Sequence, residues 1–424
     1  MPDNPNEPAS RSLIYTARGQ EWLEQFDPLD QGAAISLANS LKLISHNEFR
    51  RNLEKQIHNV GSKYGGPVAL FAVREIETDT QEGRFIGGIP PFFSQADGSP
   101  DGKSVSSVSA SADQGSEAII AQIIRQISKA DPNKFLNHPT LEVMRDTRCD
   151  ACFFIDDFIG SGRRLHTFIQ SFWNEPSVVS WLSSKHIKFA VLAYSGTETG
   201  VKLVERHKSK TAVTLHVDAP TIYTLPIGTA GRAAIWELCE KYGRVASKNG
   251  RYMWFGFQRT MGTMIFEHGC PNNSPSILWL WNDNWRGIFP KRTVDARVSS
   301  VFPPEIVRGD AVSLFRNIGQ TRLARSGALL RRGQAGQTIL IVLAMIAQGQ
   351  RKRSAISYAT GLSRAECERI LAKCIKWKFV SPQRRITPSG KAELEAGRKH
   401  LGLRNPKLDA GSPYYYPKQL RGTA

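Results

Sequence analysis

Long apolar runs are scarce in this chain. The longest, Ile339 to Ala347, is far too short to cross a hydrocarbon core. The first residues, MPDNPNEPAS, lack a basic start followed by an apolar stretch, so we expect no secretory signal and a cytoplasmic location. Cysteine is also sparse: Cys149, Cys152, Cys239, Cys270, Cys367 and Cys374 are the only six in 424 residues, a number that suits ordinary reduced cytosolic thiols. Cys149 and Cys152 form a CxxC. A zinc site needs a second pair or a histidine, and only His268 with Cys270, about 120 residues further on, is a loose candidate. Cys152 reads better as a small apolar residue entering a strand.

Acidic residues are deficient in one region. Residues 321–424 carry 21 Lys and Arg against 5 Asp and Glu, whereas residues 1–320 carry 35 against 33. The formal charge of +18 therefore belongs almost wholly to the C-terminal quarter. That asymmetry points to a polyanion partner for one module and leaves the rest of the chain nearly neutral. The length suggests two or three domains, and 41% hydrophobic residues are enough for real cores.

The most informative stretch is FFIDDFIGSGRRL, Phe153 to Leu165. Phe153 to Ile155 have the fully apolar look of a strand buried on both faces, as in a parallel sheet. Asp156 and Asp157 then fall at its carboxyl end, where open α/β sheets bind ligands. Gly160, Ser161 and Gly162 let backbone amides close on a phosphate, and Arg163 and Arg164 add charge at the following helix N-terminus. Adjacent ionised carboxylates cost energy unless a ligand, metal or base offsets them. These two could hold ribose hydroxyls or a metal.

Around this motif the chain alternates. Residues 20–60 read as helical, and Pro67 to Ile76 as a strand ending in Arg74 and Glu75. Gly83 to Ser116 is rich in Gly, Pro and Ser without periodicity, as in a disordered segment or a working lid. An apolar helix follows at Ala118 to Ile127, then the Asp-Asp strand, a helix over about Arg163 to Trp173, a strand at Ile187 to Tyr194, a helix at about Glu198 to His207 and a strand at Ala212 to Val217. Such alternation argues for right-handed βαβ units and a parallel sheet. Further on, Arg232 to Tyr242 looks helical and Tyr252 to Phe257 looks like a strand. In CPNNSPSILWLWNDNW, Asn272 and Asn273 could line a base pocket or make a turn, and the tryptophans read as packing.

In the basic quarter, Thr338 to Ile346 reads as a buried helix and Arg353 to Ala359 as a short second one. Ser363 and Glu366 form an SxxE capping box that starts a third. On that helix Cys367, Ile370, Leu371 and Cys374 share one face, and Arg369, Lys373 and Lys376 another. Phe379, Val380 and SPQRRITPSG read as a hairpin, with Arg384 and Arg385 near its tip, before a helix from Lys391. Three helices and a basic hairpin make a winged helix-turn-helix. Arg351, Lys352, Arg353, Arg364, Arg369, Lys373, Lys376, Arg384 and Arg385 are its candidate nucleic-acid contacts, since phosphate neutralisation is the main source of such affinity.

The stretch IDDFIGSGRR resembles the ribose-phosphate-binding motif of type I phosphoribosyltransferases. The resemblance implies that Asp156 and Asp157 contact ribose hydroxyls, that Gly160 to Arg164 bind the 5′-phosphate, that Arg74 and Glu75 lie near a pyrophosphate, and that the Ser-rich stretch is a lid. Gly160 and Arg164 stand where that family usually has hydroxyl residues. Over the whole chain, the order of segments resembles the phosphoribosyltransferase-like effectors encoded beside bacterial retron reverse transcriptases. That resemblance implies an anti-phage toxin effector acting on a ribosyl phosphate or nucleotide, with Mg²⁺, held in check through DNA or an RNA–DNA hybrid and a reverse transcriptase. Purine-repressor-like regulators, which sense phosphoribosyl pyrophosphate without turnover, are the alternative. The expected fold is α/β, with a type I phosphoribosyltransferase-like parallel sheet. Its segments are a helical 1–65, the core at 66–320, a winged helix-turn-helix at 321–400 and a tail at 401–424.

Overall fold

Buried apolar runs alternating with amphipathic helices close into a five-stranded sheet in which every pairing is parallel. The computed structural model describes residues 13–76, 80–81, 84–85, 88–95, 98, 102–106, 116–225, 227–247, 249–250, 253–302, 319–324, 334–360 and 362–398. By contacts the chain forms two compact units, one of Met1–Val307 with Lys352–Arg369, the other of Arg308–Arg351 with Ile370–Ala424.

In the first unit, strands β2 (Val68–Ala72), β3 (Phe135–Asn137), β4 (Ala151–Ile159), β5 (Lys188–Gly196) and β6 (Ala212–Leu215) lie in the order β3-β2-β4-β5-β6. The central strand is β4, the Asp-Asp strand. Its alternate residues feed two cores, as the two-residue period of a strand requires. Ala151, Phe153 and Ile155 pack with α3 (His46–Gly61) and α4 (Ser116–Ala130), whereas Cys152 and Phe154 pack with α6 (Arg163–Trp173). The second face is aromatic: Phe71, Phe154, Phe168, Phe172 and Phe189 touch ring to ring. Burying a phenylalanine side chain stabilises by about 1.5–3 kcal/mol. This β4–α6 joint, which carries the glycine turn, is therefore firmly held.

A third core is built by α1 (Ala17–Leu23), α2 (Gln31–Asn39), α9 (Thr229–Ala246) and the loops through residue 302. Trp22 and Trp285 are both fully buried, and both indole N–H groups donate to the Ile277 carbonyl oxygen. Here the sequence expectations need correction. Of the strand expected over Tyr252–Phe257, Tyr252 lies outside the described residues, and 253–257 form turns that lead into a left-handed Gln258 and Arg259. ILWLWNDNW makes a 3₁₀ turn, Ser276–Leu278, and a two-residue hairpin, Trp281–Asn282 with Trp285–Arg286. The helical reading of 20–60 is interrupted by β1 (Lys42–Ile44), which pairs in parallel with β7 (Met264–Phe266) and ties this core to the sheet. Strand β3 and two short helices, α5 (Leu141–Asp146) and α7 (Pro176–Ser183), are too brief to show a period in the sequence.

Helix α11 (Arg353–Thr360) and the start of α12 (Arg364–Lys376) count with the first unit. Helix α8 (Glu198–Glu205) follows β5. The second unit has α10 (Gln334–Ala347) packed on α13 (Pro388–Arg398), and an antiparallel bridge between Val380 and Ile386 that forms the expected hairpin. In the first turn of α13, Gly390 is required because a Cβ there would lie 2.1 Å from the Phe379 carbonyl oxygen. No helix among the described residues is long and apolar enough to cross a membrane.

Candidate ribosyl-phosphate site

Asp156 and Asp157 end the buried part of β4, and the chain turns at Gly160–Gly162 into α6. Gly162 has a φ of +77°, and a Cβ there would meet the Gly200 carbonyl oxygen at 2.5 Å. A Cβ at Gly200 would in turn lie 2.3 Å from the Gly160 carbonyl oxygen, and the Thr197 hydroxyl donates to that same oxygen at 2.6 Å. The loop is thus clamped against the N-terminus of α8, and only glycine fits at both points.

A cavity of about 660 Å³ opens here, lined by the loop, both aspartates, Glu117 at the start of α4, and the segments 268–272 and 291–293 from the third core. Asp156 is 2% exposed. Its Oδ1 accepts from Arg164 Nη2 at 2.6 Å and from the Asp157 amide at 3.0 Å. Burial, with the Asp157 charge beside it, pushes the Asp156 carboxyl up to about 7 against the pull of Arg164. Asp157 faces the same burial. It is nonetheless held below the usual carboxylate range by His268, whose Nε2 lies 2.9 Å from Asp157 Oδ2, and by Arg164. Arg164 is raised chiefly by Asp156. Its guanidinium also lies 3.9 Å from Glu117, whose carboxyl is raised by burial. One arginine is thus shared among three carboxylates, and only part of their charge is met.

The expected site residues separate into groups. Asp156, Asp157, Gly160, Ser161, Gly162 and Arg164 all line the cavity. Arg163 is exposed and does not line it. Arg74 is buried with its guanidinium 5.2 Å from the Phe92 ring, and neither it nor the exposed Glu75 lines the cavity. The backbone of Glu75 bonds to Glu117. Most of the Ser-rich stretch, residues 107–115, lies outside the described residues, as does the tail from residue 399. Glu117, Lys291 and Arg292 join the lining without any motif in the sequence to mark them, and His268 is marked there only as a loose zinc partner. Of the two adjacent asparagines, Asn272 lines the cavity, whereas Asn273 is buried against Gly262. Lys291 and Arg292 are consecutive left-handed residues, with φ of 50° and 71°, a conformation that costs roughly 1–2 kcal/mol each. The turn is fixed by bonds from the Lys291 amide to the Trp279 carbonyl and from the Cys270 amide to the Arg292 carbonyl.

Cys149 and Cys152 are buried free thiols, and burial pushes Cys149 up to about 11, which suits inert packing. Among the described residues no group of three or more His, Cys, Asp or Glu side chains converges to hold a metal ion.

Two family models match the chain. Residues 20–291 match the PRTase-CE family model. The chain belongs to the PRTase-CE family. Residues 340–422 match a second model, described as wHTH-PRTase associated, so a phosphoribosyltransferase-like domain is followed by a winged helix-turn-helix. No curated protein and no solved structure matches the chain.

Within that second match, the capping box is reciprocal: the Glu366 amide donates to Ser363 Oγ at 3.2 Å, and the Ser363 amide to Glu366 Oε2 at 3.0 Å. Along α12, Cys367, Leu371 and Cys374 are buried while Arg369, Lys373 and Lys376 are exposed, as their spacing predicts. Arg351, Lys352 and Arg385 are exposed. Arg384, left-handed in the hairpin turn, donates to the Arg351 carbonyl at 3.4 Å. Arg353 is committed elsewhere: it grips Asp218, just beyond β6, through two bonds of 2.7 and 3.0 Å, and pairs with Glu368 at 2.6 Å. Arg364 lies 3.8 Å from Glu368, and its amide donates to the His216 carbonyl at 2.7 Å.

Proposed function

We propose that the PRTase-CE domain binds a ribosyl phosphate or nucleotide and transfers or cleaves at its anomeric carbon, and that the winged helix-turn-helix governs this activity by binding nucleic acid. The observation that carries this reading is the acid pair at the end of the central parallel strand, running into a glycine loop at the N-terminus of α6 inside one cavity. The loop amides would cradle the 5′-phosphate, and Asp156 and Asp157 would face the ribose. Cleavage through an oxocarbenium-like sugar needs anionic groups close to the ring and exclusion of bulk water, and the half-met charge of the three carboxylates supplies the first.

Mg²⁺ would accompany a pyrophosphate-bearing ligand and would supply charge neutralisation of the leaving group. The biological role that fits is an anti-phage effector of a retron system, restrained by an RNA-linked DNA and its reverse transcriptase until infection. The test is binding of ribose 5-phosphate by calorimetry, and toxicity with nucleotide pools in infected cells, for the wild type and Asp156→Ala/Asp157→Ala. Unchanged toxicity and pools in the variant would sink this role.

A second reading, ligand sensing without turnover, is favoured by the engagement of both carboxylates with Arg164 and His268. Ligand-dependent retention of a DNA fragment, with no product from labelled ligand, would decide for it.

A further inference from the structure

His268 lines the cavity, and binding a ribosyl phosphate gives it no task. Its side chain is 7% exposed and its ring is held among three other rings. It stacks on Phe266 at 4.9 Å and 19°, meets the Phe49 ring edge at 5.1 Å, and lies 5.9 Å from the His46 ring. The segment bearing it is pinned by the β1–β7 pairing and by the bond from the Glu267 amide to the Ile44 carbonyl. Nε2 points to Asp157 Oδ2, and the other oxygen of Asp157 accepts from the Phe158 amide at 2.7 Å. A charged Asp157 accepts from Nε2–H, and in the neutral imidazole the lone pair is then on Nδ1. No hydrogen bond to Nδ1 occurs among the described residues. An acid orienting an imidazole that lines a cavity, and whose second nitrogen makes no hydrogen bond among the described residues, is the arrangement of a general base with its orienting group.

Such a pair matters for only some acceptors. A pyrophosphate oxygen is already anionic and needs no base, whereas water or a nucleobase N–H must lose a proton on joining the anomeric carbon. We propose that His268 is the proton acceptor of this site, oriented by Asp157, and that the nucleophile is therefore protic. This rests on the ribosyl-phosphate reading. In the step, the nucleophile's oxygen or nitrogen forms a bond to C1′, the bond from C1′ to the leaving group breaks with its electron pair going to that group, and the proton of the nucleophile passes to Nδ1. The charged and titratable groups around the imidazole are Asp157 and Arg164 from the β4–α6 joint, Glu117 from α4, His46 and Glu267 beside it, and Lys291 and Arg292 on the cavity lining.

The experiment uses the full chain and four nucleoside 5′-monophosphates, AMP, GMP, CMP and UMP, in ¹⁸O-water from pH 5 to 9. Calorimetry with ribose 5-phosphate runs alongside. His268→Gln keeps an N–H donor for Asp157 but cannot titrate. It should bind ribose 5-phosphate within about threefold of wild type, lose roughly 10²- to 10⁴-fold in kcat, and lose the acidic limb of the pH–rate profile. His268→Ala should regain part of its rate with added imidazole. Label in the released ribose 5-phosphate assigns water as the nucleophile, and exchange of labelled free base without ¹⁸O uptake assigns the nucleobase. An unchanged kcat and acidic limb in His268→Gln, turnover only with pyrophosphate, or ligand binding with no turnover overturns the proposal and leaves the pocket reading standing. A wild type that does not bind ribose 5-phosphate overturns the pocket reading itself.

Discussion

Asp156 is almost fully buried beside a second carboxylate, and its pKa rises from 3.8 to about 7. A raised carboxyl binds its proton more tightly in the folded state. Its stabilising contribution is therefore complete below about pH 4 and is lost as pH rises through 7. At about 1.4 kcal/mol for each pH unit between those limits, ionising Asp156 in place costs about 4 kcal/mol. Asp156→Asn is nearly isosteric and cannot ionise. Other groups titrate in the same interval, including His207 and His216, which burial lowers to about 4, but they are common to both proteins and cancel in the difference.

The assay is urea unfolding followed by tryptophan fluorescence at pH 4.5 and pH 7.5. Whatever its offset at pH 4.5, the Asn variant should gain on the wild type by several kcal/mol at pH 7.5. A difference that does not change with pH would mean that Arg164 holds Asp156 ionised throughout and that burial does not govern its proton. A difference that moves in the wild type's favour as pH rises would count against burial more strongly still.

Gly162→Ala should destabilise by at least about 1–2 kcal/mol from the left-handed backbone alone, with more from the close approach to Gly200, and should abolish ribose 5-phosphate binding in calorimetry. Lys291→Ala with Arg292→Ala should weaken 5-phosphoribosyl 1-pyrophosphate by about tenfold or more and ribose 5-phosphate by less, since these cations lie on the lining contributed by the third core; equal losses for both ligands would count against that placement. In nucleic-acid retention, Lys373→Ala and Arg385→Ala should each lower the salt slope by about one, whereas Arg353→Ala should leave the slope unchanged, because its guanidinium is spent on Asp218 and Glu368. Arg353→Ala should instead lower thermal stability, and a smaller loss should follow Asp218→Ala, which leaves the pair with Glu368 in place.

What can be read from the sequence follows from local rules. A strand buried on both faces shows as an unbroken apolar run, so β4 and its turn into α6 stand out, and the helix Arg163–Trp173 falls where the periodicity puts it. The capping box at Ser363 is legible for the same reason. The third core is not. It holds its aromatic residues in 3₁₀ turns, two-residue strands and left-handed loops, none of which carries a period long enough to see. The contact between His268 and Asp157 is hidden by distance, since 111 residues separate them. Composition can locate charge but not its partner. Arg353 therefore reads as a phosphate contact and lies instead on Asp218.

Arg164 sharpens what the phosphate loop can do. Its position at the helix N-terminus suggests a phosphate ligand, yet eight residues after Asp156 the first turn of α6 folds its guanidinium back onto the acid pair, at 2.6 Å from Asp156 Oδ1. Sending it to a phosphate would leave Asp156 buried without its cation, whereas Asp157 keeps His268, and breaking a buried pair costs about 3–5 kcal/mol. The same guanidinium cannot serve both partners at full strength. A bound phosphate must then rely on the loop amides and the α6 dipole, together worth less than a dedicated arginine. Under the proposed function, the acids and His268 would serve the sugar end of the ligand and the loop amides its phosphate end.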